Sequence, residues 1–152
     1  MHFYDFASRN VPPGEQRDEL SERVIGAAME VHSALGPGLT EEMYEEALCH
    51  ELDLRGIHYA RQVKVYVDYK GKRIGDTRLD LIVEDRLILE LKSCERLAPI
   101  HRAQCITYLR ATGKEVALLI NFNVEMLRDG IKRVVLTNNH SASASAPSAP
   151  RR

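Results

Sequence analysis

A chain of 152 residues, 44% hydrophobic and 28% charged, has the size and composition of one soluble globular domain. Those values exclude a wholly disordered chain, a collagen and a coiled-coil rod, and no apolar run approaches the ~18–20 residues of a membrane helix. The net charge of −1 hides an uneven split: residues 1–53 carry 12 acidic and 3 basic side chains (−9), residues 54–152 carry 10 and 18 (+8). Solvated acidic helices account for such a split. So does a basic surface beside an acidic site, as a polyanion-processing protein needs. Cys49, Cys94 and Cys105 are odd in number and form no CxxC, which reads as reduced thiols in a cytoplasmic protein. The first residues, MHFYDFASRNVPPGEQ, contain no apolar core of a secretory signal.

Residues 1–16, with Pro12, Pro13 and Gly14, read as a loose arm. Leu20, Val24, Ala28, Val31 and Leu35 recur at helical spacing, and Gly36-Pro37-Gly38 stops that helix. Thr40 is the expected N-cap of a second helix, with Glu41 and Glu42 favourably placed against its dipole. Tyr44, Ala47, Leu48 and Leu52 form its apolar face and Gly56 its C-terminal stop. The period then becomes two. Val63, Val65 and Val67 mark one strand and Lys70-Gly71-Lys72 a turn. Leu79, Leu81 and Val83 mark a second strand, and Leu87, Leu89 and Leu91 a third. A helix is predicted from about Pro99 to Thr112, closed by Gly113. The run VALLI at 116–120 suits a buried strand, and Ile131, Val134, Val135 and Leu136 suggest a last short element. The Ser/Ala/Pro segment at 138–152 is predicted to be disordered. The domain is thus expected over 17–137, with a central mixed sheet flanked by helices, an α/β fold.

One hairpin concentrates the chemistry. Its two apolar rows must share a face, because a one-residue slip inverts a whole row. The simplest register sets Val83 against Leu87, Leu81 against Leu89 and Leu79 against Leu91, with Glu84-Asp85-Arg86 as the loop. Asp80 then lies across from Glu90, and Arg78 across from Lys92. Opposed carboxylates ~5 Å apart at Cβ repel each other when both are charged. A divalent cation between them resolves the repulsion, and hard oxygen ligands suit Mg²⁺. Lys92, two residues past Glu90, projects from the same face, where its ammonium would hold a phosphate oxygen or orient a water. The plainer reading is a solvated face on which Arg78 and Lys92 pair the acids. Ile82 and Ile88 on that face argue for partial cover instead.

Asp80 followed by Glu90-Leu91-Lys92 resembles the D…(D/E)xK signature of the PD-(D/E)XK nuclease superfamily, and the element order resembles its αβββαβ core. Gln104 and Tyr108 resemble the QxxxY motif of its RecB-like branch, one turn apart on a helix face. Residues 38–44 (GLTEEMY) match the GxxExxY pattern that names a small bacterial family within it, as do VHSALGPG, YEEAL, ALLINFNV and LRDGIKRVV. The resemblance runs from about Val24 to Leu136. It implies Asp80 and Glu90 as metal ligands, the Leu91 carbonyl as a further ligand and Lys92 as the catalytic lysine. It also implies a helix carboxylate, with Glu41 the best match and Glu45 one turn on. Gln104 and Tyr108 would brace the site or touch the nucleic-acid backbone; Tyr44 fits the apolar stripe of its helix equally well as a core aromatic. Leu79 stands where the superfamily name has Pro, and the Ser/Ala/Pro tail lies outside the pattern.

The expectation is therefore a Mg²⁺-dependent nuclease, with Mn²⁺ as a substitute, acting on DNA, cytoplasmic and without a membrane anchor. A short chain of this kind would call on an oligomer or a protein partner to grip its substrate. The competing expectation is a catalytically silent nucleic-acid- or partner-binding module on the same fold. Cys49, His50 and His58 match no structural zinc spacing, and no GxxxxGK phosphate loop is present. His32 and His101 read as ordinary helix residues.

Overall fold

Asp18 opens the described part of the chain as an N-cap: its carboxylate accepts from the Leu20 N–H at 3.1 Å and the Ser21 hydroxyl at 3.0 Å. The structure, a computed structural model, describes residues 18–136; the arm expected over 1–16 and the tail expected over 138–152 lie outside the described residues. Helix α1 spans Glu19–Leu35 and α2 spans Glu41–Leu54. Strands β1 (Tyr59–Tyr69), β2 (Lys72–Val83) and β3 (Leu87–Lys92) follow. Then come α3 (Pro99–Thr112), β4 (Val116–Asn121), a 3₁₀ turn (Leu127–Gly130) and β5 (Ile131–Val135). The α/β fold expected from the sequence is the observed one.

The five strands form one mixed sheet in the order β1-β2-β3-β4-β5. Only β3 and β4 run parallel, because α3 carries the chain back over the sheet between them. The side chains of β3 alternate between two layers. Leu87, Leu89 and Leu91 join Val24, Val31, Tyr44, Leu48 and Leu52 under α1 and α2, while Ile88 joins Cys105, Tyr108 and Leu109 under α3. Covered on both faces, β3 and β4 are almost wholly apolar, which is why VALLI is a continuous run.

Local signals hold where they act locally. Thr40 caps α2 by accepting the Met43 N–H at 3.3 Å. Lys70 and Gly71 both take positive φ (48° and 83°), the twist a two-residue hairpin turn requires. Tyr44 is fully buried and stacks on Phe122 with ring centroids 4.6 Å apart. Its hydroxyl donates to the Gly36 carbonyl and accepts the Leu39 N–H, tying down the loop between the two helices.

Two expectations fail. Leu35 does not join the buried stripe of α1; it is 45% exposed where the helix overruns the layer beneath it. Leu79 does not face Leu91. It packs in the α3 layer, whereas Leu81 and Leu91 pack in the other. The alternation breaks at Asp80, opposite Gln62, a non-glycine residue at φ 49° in β1. The β2–β3 ladder keeps the expected register for Val83–Leu87 and Leu81–Leu89 and ends there, so neither Asp80 and Glu90 nor Arg78 and Lys92 are a ladder pair.

Gly130 is the tightest point in the chain reversal before β5. A Cβ there would meet the Asn121 carbonyl oxygen at 2.2 Å, a backbone atom that cannot swing aside. Gly130→Ala is expected to cost about 2–3 kcal/mol by overpacking, measured as a lower urea midpoint with an unchanged m-value.

Candidate active site

The end of the β2–β3 ladder is itself made by a side chain. The Asp80 carboxylate accepts the backbone N–H of Leu91 at 2.7 Å, in place of a partner on the β2 backbone. In an extended strand the N–H and C=O of one residue point the same way. The Leu91 carbonyl therefore also faces the Asp80 side, while the next carbonyl, of Lys92, accepts the Phe122 N–H of β4's end at 2.9 Å.

Glu90 occupies the α3 layer, in the row that begins with Ile88, and is 3% exposed. Burial, then the hydrogen bond and charge of Asp80 beside it, push its carboxyl up to about 8. The two acids lie together, in side-chain contact beyond the end of the ladder rather than as a ladder pair. Tyr108 is buried; its hydroxyl donates to the Arg78 carbonyl at 3.2 Å and lies against Glu90. Burial and the Glu90 charge drive the Tyr108 phenol well above its usual range. Cys105, one position past Gln104, is pushed up to about 12, mainly by burial and then by Glu90. It is a neutral packing thiol. Gln104 contributes a buried Oε1 with no hydrogen-bond partner among the described residues. Lys92, half-buried, acts electrostatically on both Glu90 and Cys105.

The helix carboxylates divide. Glu45 is buried and held by Arg61 and by the Gln62 amide, both at 2.7 Å; the same amide donates to Asp80 at 3.4 Å. Glu41 is exposed at the first turn of α2 and accepts the Ser93 N–H, at 3.4 Å, one residue past Lys92. Among the described residues no three His, Cys, Asp or Glu side chains form a ready-made cation cluster, so neither glutamate closes one with Asp80 and Glu90. The donors that are together still fit a hard divalent cation. They are two neighbouring carboxyl groups, with a backbone carbonyl on the same side, and Mg²⁺ commonly takes one or two carboxylates and keeps its waters.

The other singled-out residues have structural roles. Tyr44 is sealed in the core. His32 bonds the Val124 carbonyl at 2.7 Å, and the His101 Nδ1 accepts the Ala98 N–H at the start of α3. Sequence reasoning missed Gln62, Arg61 and Asn121. Asn121 accepts the Cys94 N–H and donates to its carbonyl, pinning the loop beyond Lys92. Its only signal was a polar residue ending an apolar run.

Two half-helical layers on a mixed sheet, with an Asp at the split end of one strand and Glu-x-Lys on the next, define a nuclease-like class of site. The chain belongs to the PD-(D/E)XK nuclease superfamily, whose model matches residues 18–134. Among solved structures, an alkaline exonuclease from Laribacter hongkongensis is similar over 91% of this chain and 85% of its own. The identity is 12% and the TM-score 0.48. The protein SSO0001 is similar over 93% and 81%, with 15% identity and a TM-score of 0.45. No curated protein matches the chain.

The raised Glu90 pKa has a thermodynamic consequence. Unfolded, this carboxyl ionises near 4.5; folded, near 8. Between those values the unfolded chain has released a proton that the folded chain keeps, so stability falls as pH rises from about 4.5 to about 8. Glu90→Gln, which keeps the donor and removes the titration, is expected to flatten that slope in urea unfolding performed in EDTA. An unchanged slope would place the titration elsewhere.

Proposed function

We propose that the protein is a divalent-metal-dependent nuclease that hydrolyses phosphodiester bonds in DNA. The observation that carries this reading is the Asp80–Glu90 pair: two acids held together in a largely covered site, with Lys92 beside them. Asp80, Glu90 and the Leu91 carbonyl are the groups that would hold Mg²⁺ or Mn²⁺. When bound, the cation would supply charge neutralisation at the scissile phosphate.

The remaining roles belong to the chain. The Leu91 N–H fixes one oxygen of Asp80 and so orients the other. Lys92 positions the attacking water and stabilises the negative charge that grows on the phosphate. Tyr108 holds Glu90 from the α3 side, and Gln104 offers its unpaired amide oxygen to the bound water or nucleic acid. Glu41 is the assisting helix carboxylate, because Glu45 is already committed to Arg61 and Gln62.

The test is cleavage of plasmid and linear DNA with Mg²⁺ or Mn²⁺. Asp80→Ala is expected to abolish cutting, and Lys92→Ala to lower it by about 10²-fold or more. Glu41→Gln is expected to reduce the rate while leaving stability unchanged. Glu45→Gln is expected to act mainly on stability, read by thermal unfolding. Undiminished cutting by Asp80→Ala would remove the assignment.

A further inference from the structure

β3 ends at Lys92, and β2 pairs with it only as far as Leu81. The β1–β2 hairpin continues past that point in the same direction, from the Val63–Leu79 rung to the Tyr69–Lys72 turn. At ~3.4 Å per residue this overhang is roughly 24 Å long. It begins one rung beyond Asp80, on the side where β3 carries Glu90 and Lys92.

The two faces of the overhang differ. Val63, Val65 and Leu79 pack against the α3 layer. Lys64 and Arg78 form a rung on the opposite face, and Tyr66 and Asp76 form the next. All four are exposed. Residues 63–79 carry five Lys and Arg against two Asp, a net +3 in a chain of net −1. Tyr66, 47% exposed, has the Arg73 guanidinium 3.9 Å over its ring. Tyr69, 60% exposed at the tip, has the Lys70 ammonium 5.4 Å over its ring. Exposed rings flanked by cations on a basic ribbon suit a strand that offers phosphates and unstacked base faces together. A neutral or acidic protein surface would satisfy the charges and leave the rings unused. A closed duplex would satisfy the charges and hide its base faces.

We propose that the exposed face of the β1–β2 overhang is the docking surface for a single-stranded nucleic-acid segment. Lys64 and Arg78 take its phosphates and Tyr66 stacks on a base. The destination of that strand at Asp80 and Glu90 rests on the nuclease reading; the docking surface does not.

Binding is measured by fluorescence anisotropy with labelled DNA and RNA oligonucleotides of roughly 20 nucleotides and a matching DNA duplex, in EDTA so that nothing is cut. The wild type is expected to prefer single strands. Lys64→Glu with Arg78→Glu should weaken binding at least 10-fold and flatten the dependence of log K on log salt, by about 1.4 in slope for two phosphate contacts. Tyr66→Ala should weaken it by about 5- to 100-fold, the equivalent of one stacked base. Lys132→Glu, an exposed change on β5, should bring only a small non-specific loss. Circular dichroism confirms that each variant folds. No single-strand binding by the wild type, equal or tighter duplex binding, or overhang variants that bind like the wild type would each overturn the proposal. Overhang-dependent binding without Mg²⁺-dependent cleavage would uphold it and sink the nuclease reading. Cleavage with unaltered KM in the overhang variants would do the reverse.

Discussion

The hydrogen bond from the Leu91 N–H to the Asp80 carboxylate is the constraint on which the site depends. A buried backbone N–H must find an acceptor, and here a side chain takes the place of the neighbouring strand. That substitution ends the β2–β3 ladder three residues before β3 ends and brings Asp80 against Glu90. By strand geometry the Leu91 carbonyl faces the same Asp80 side. A structural defect in the sheet and a set of oxygen donors are thus one feature.

The energetic setting follows from the layers on either side. Glu90 stands between Ile88 and Lys92 in its row, against Cys105 and Tyr108, and β3 is covered on both faces. Burial disfavours a negative charge on Glu90, and Asp80 disfavours it further, which pushes the Glu90 carboxyl up to about 8. A carboxylate pair of this kind weakens the fold wherever it must ionise fully. The surrounding core of α1, α2 and the sheet supplies the stability that this arrangement costs, and the Gly130–Asn121 close approach keeps the far side of β4 rigid.

Charge is organised about the same point. Acidic side chains dominate α1 and α2, and Glu45 and Glu46 of α2 are answered by Arg61 at the root of the hairpin. The basic side chains of the hairpin beyond Arg61 have fewer acidic partners, with Arg73 and Asp68 paired at 3.6 Å between exposed groups. Such a pair contributes little. The net effect is an acidic pair at the split strand with a basic ribbon running outward from it, which is how a chain of nearly zero net charge presents a strongly signed surface.

The sequence by itself determined what short-range rules govern. Helix caps at Thr40, the Gly36-Pro37-Gly38 break, the Lys70-Gly71 turn and the period-two strands were legible because each is settled within a few residues. The nearness of Asp80 and Glu90 was legible from apolar alternation and loop length, but the paired register that predicted it stops at Leu81–Leu89, and the two acids meet through their side chains beyond the ladder. What the tertiary structure decided needed contacts between distant segments. Leu79 changes layer because Gln62, from another strand, sits opposite the break at Asp80. Glu45 and Glu41 are told apart only by what α2 meets, Arg61 and Gln62 in one case and Ser93 in the other. Leu35 is exposed because α1 outruns its layer, which no helical period reveals. Periodicity fixes which face a residue takes along its own element; the partner on that face is chosen by packing between elements, and that information is not local.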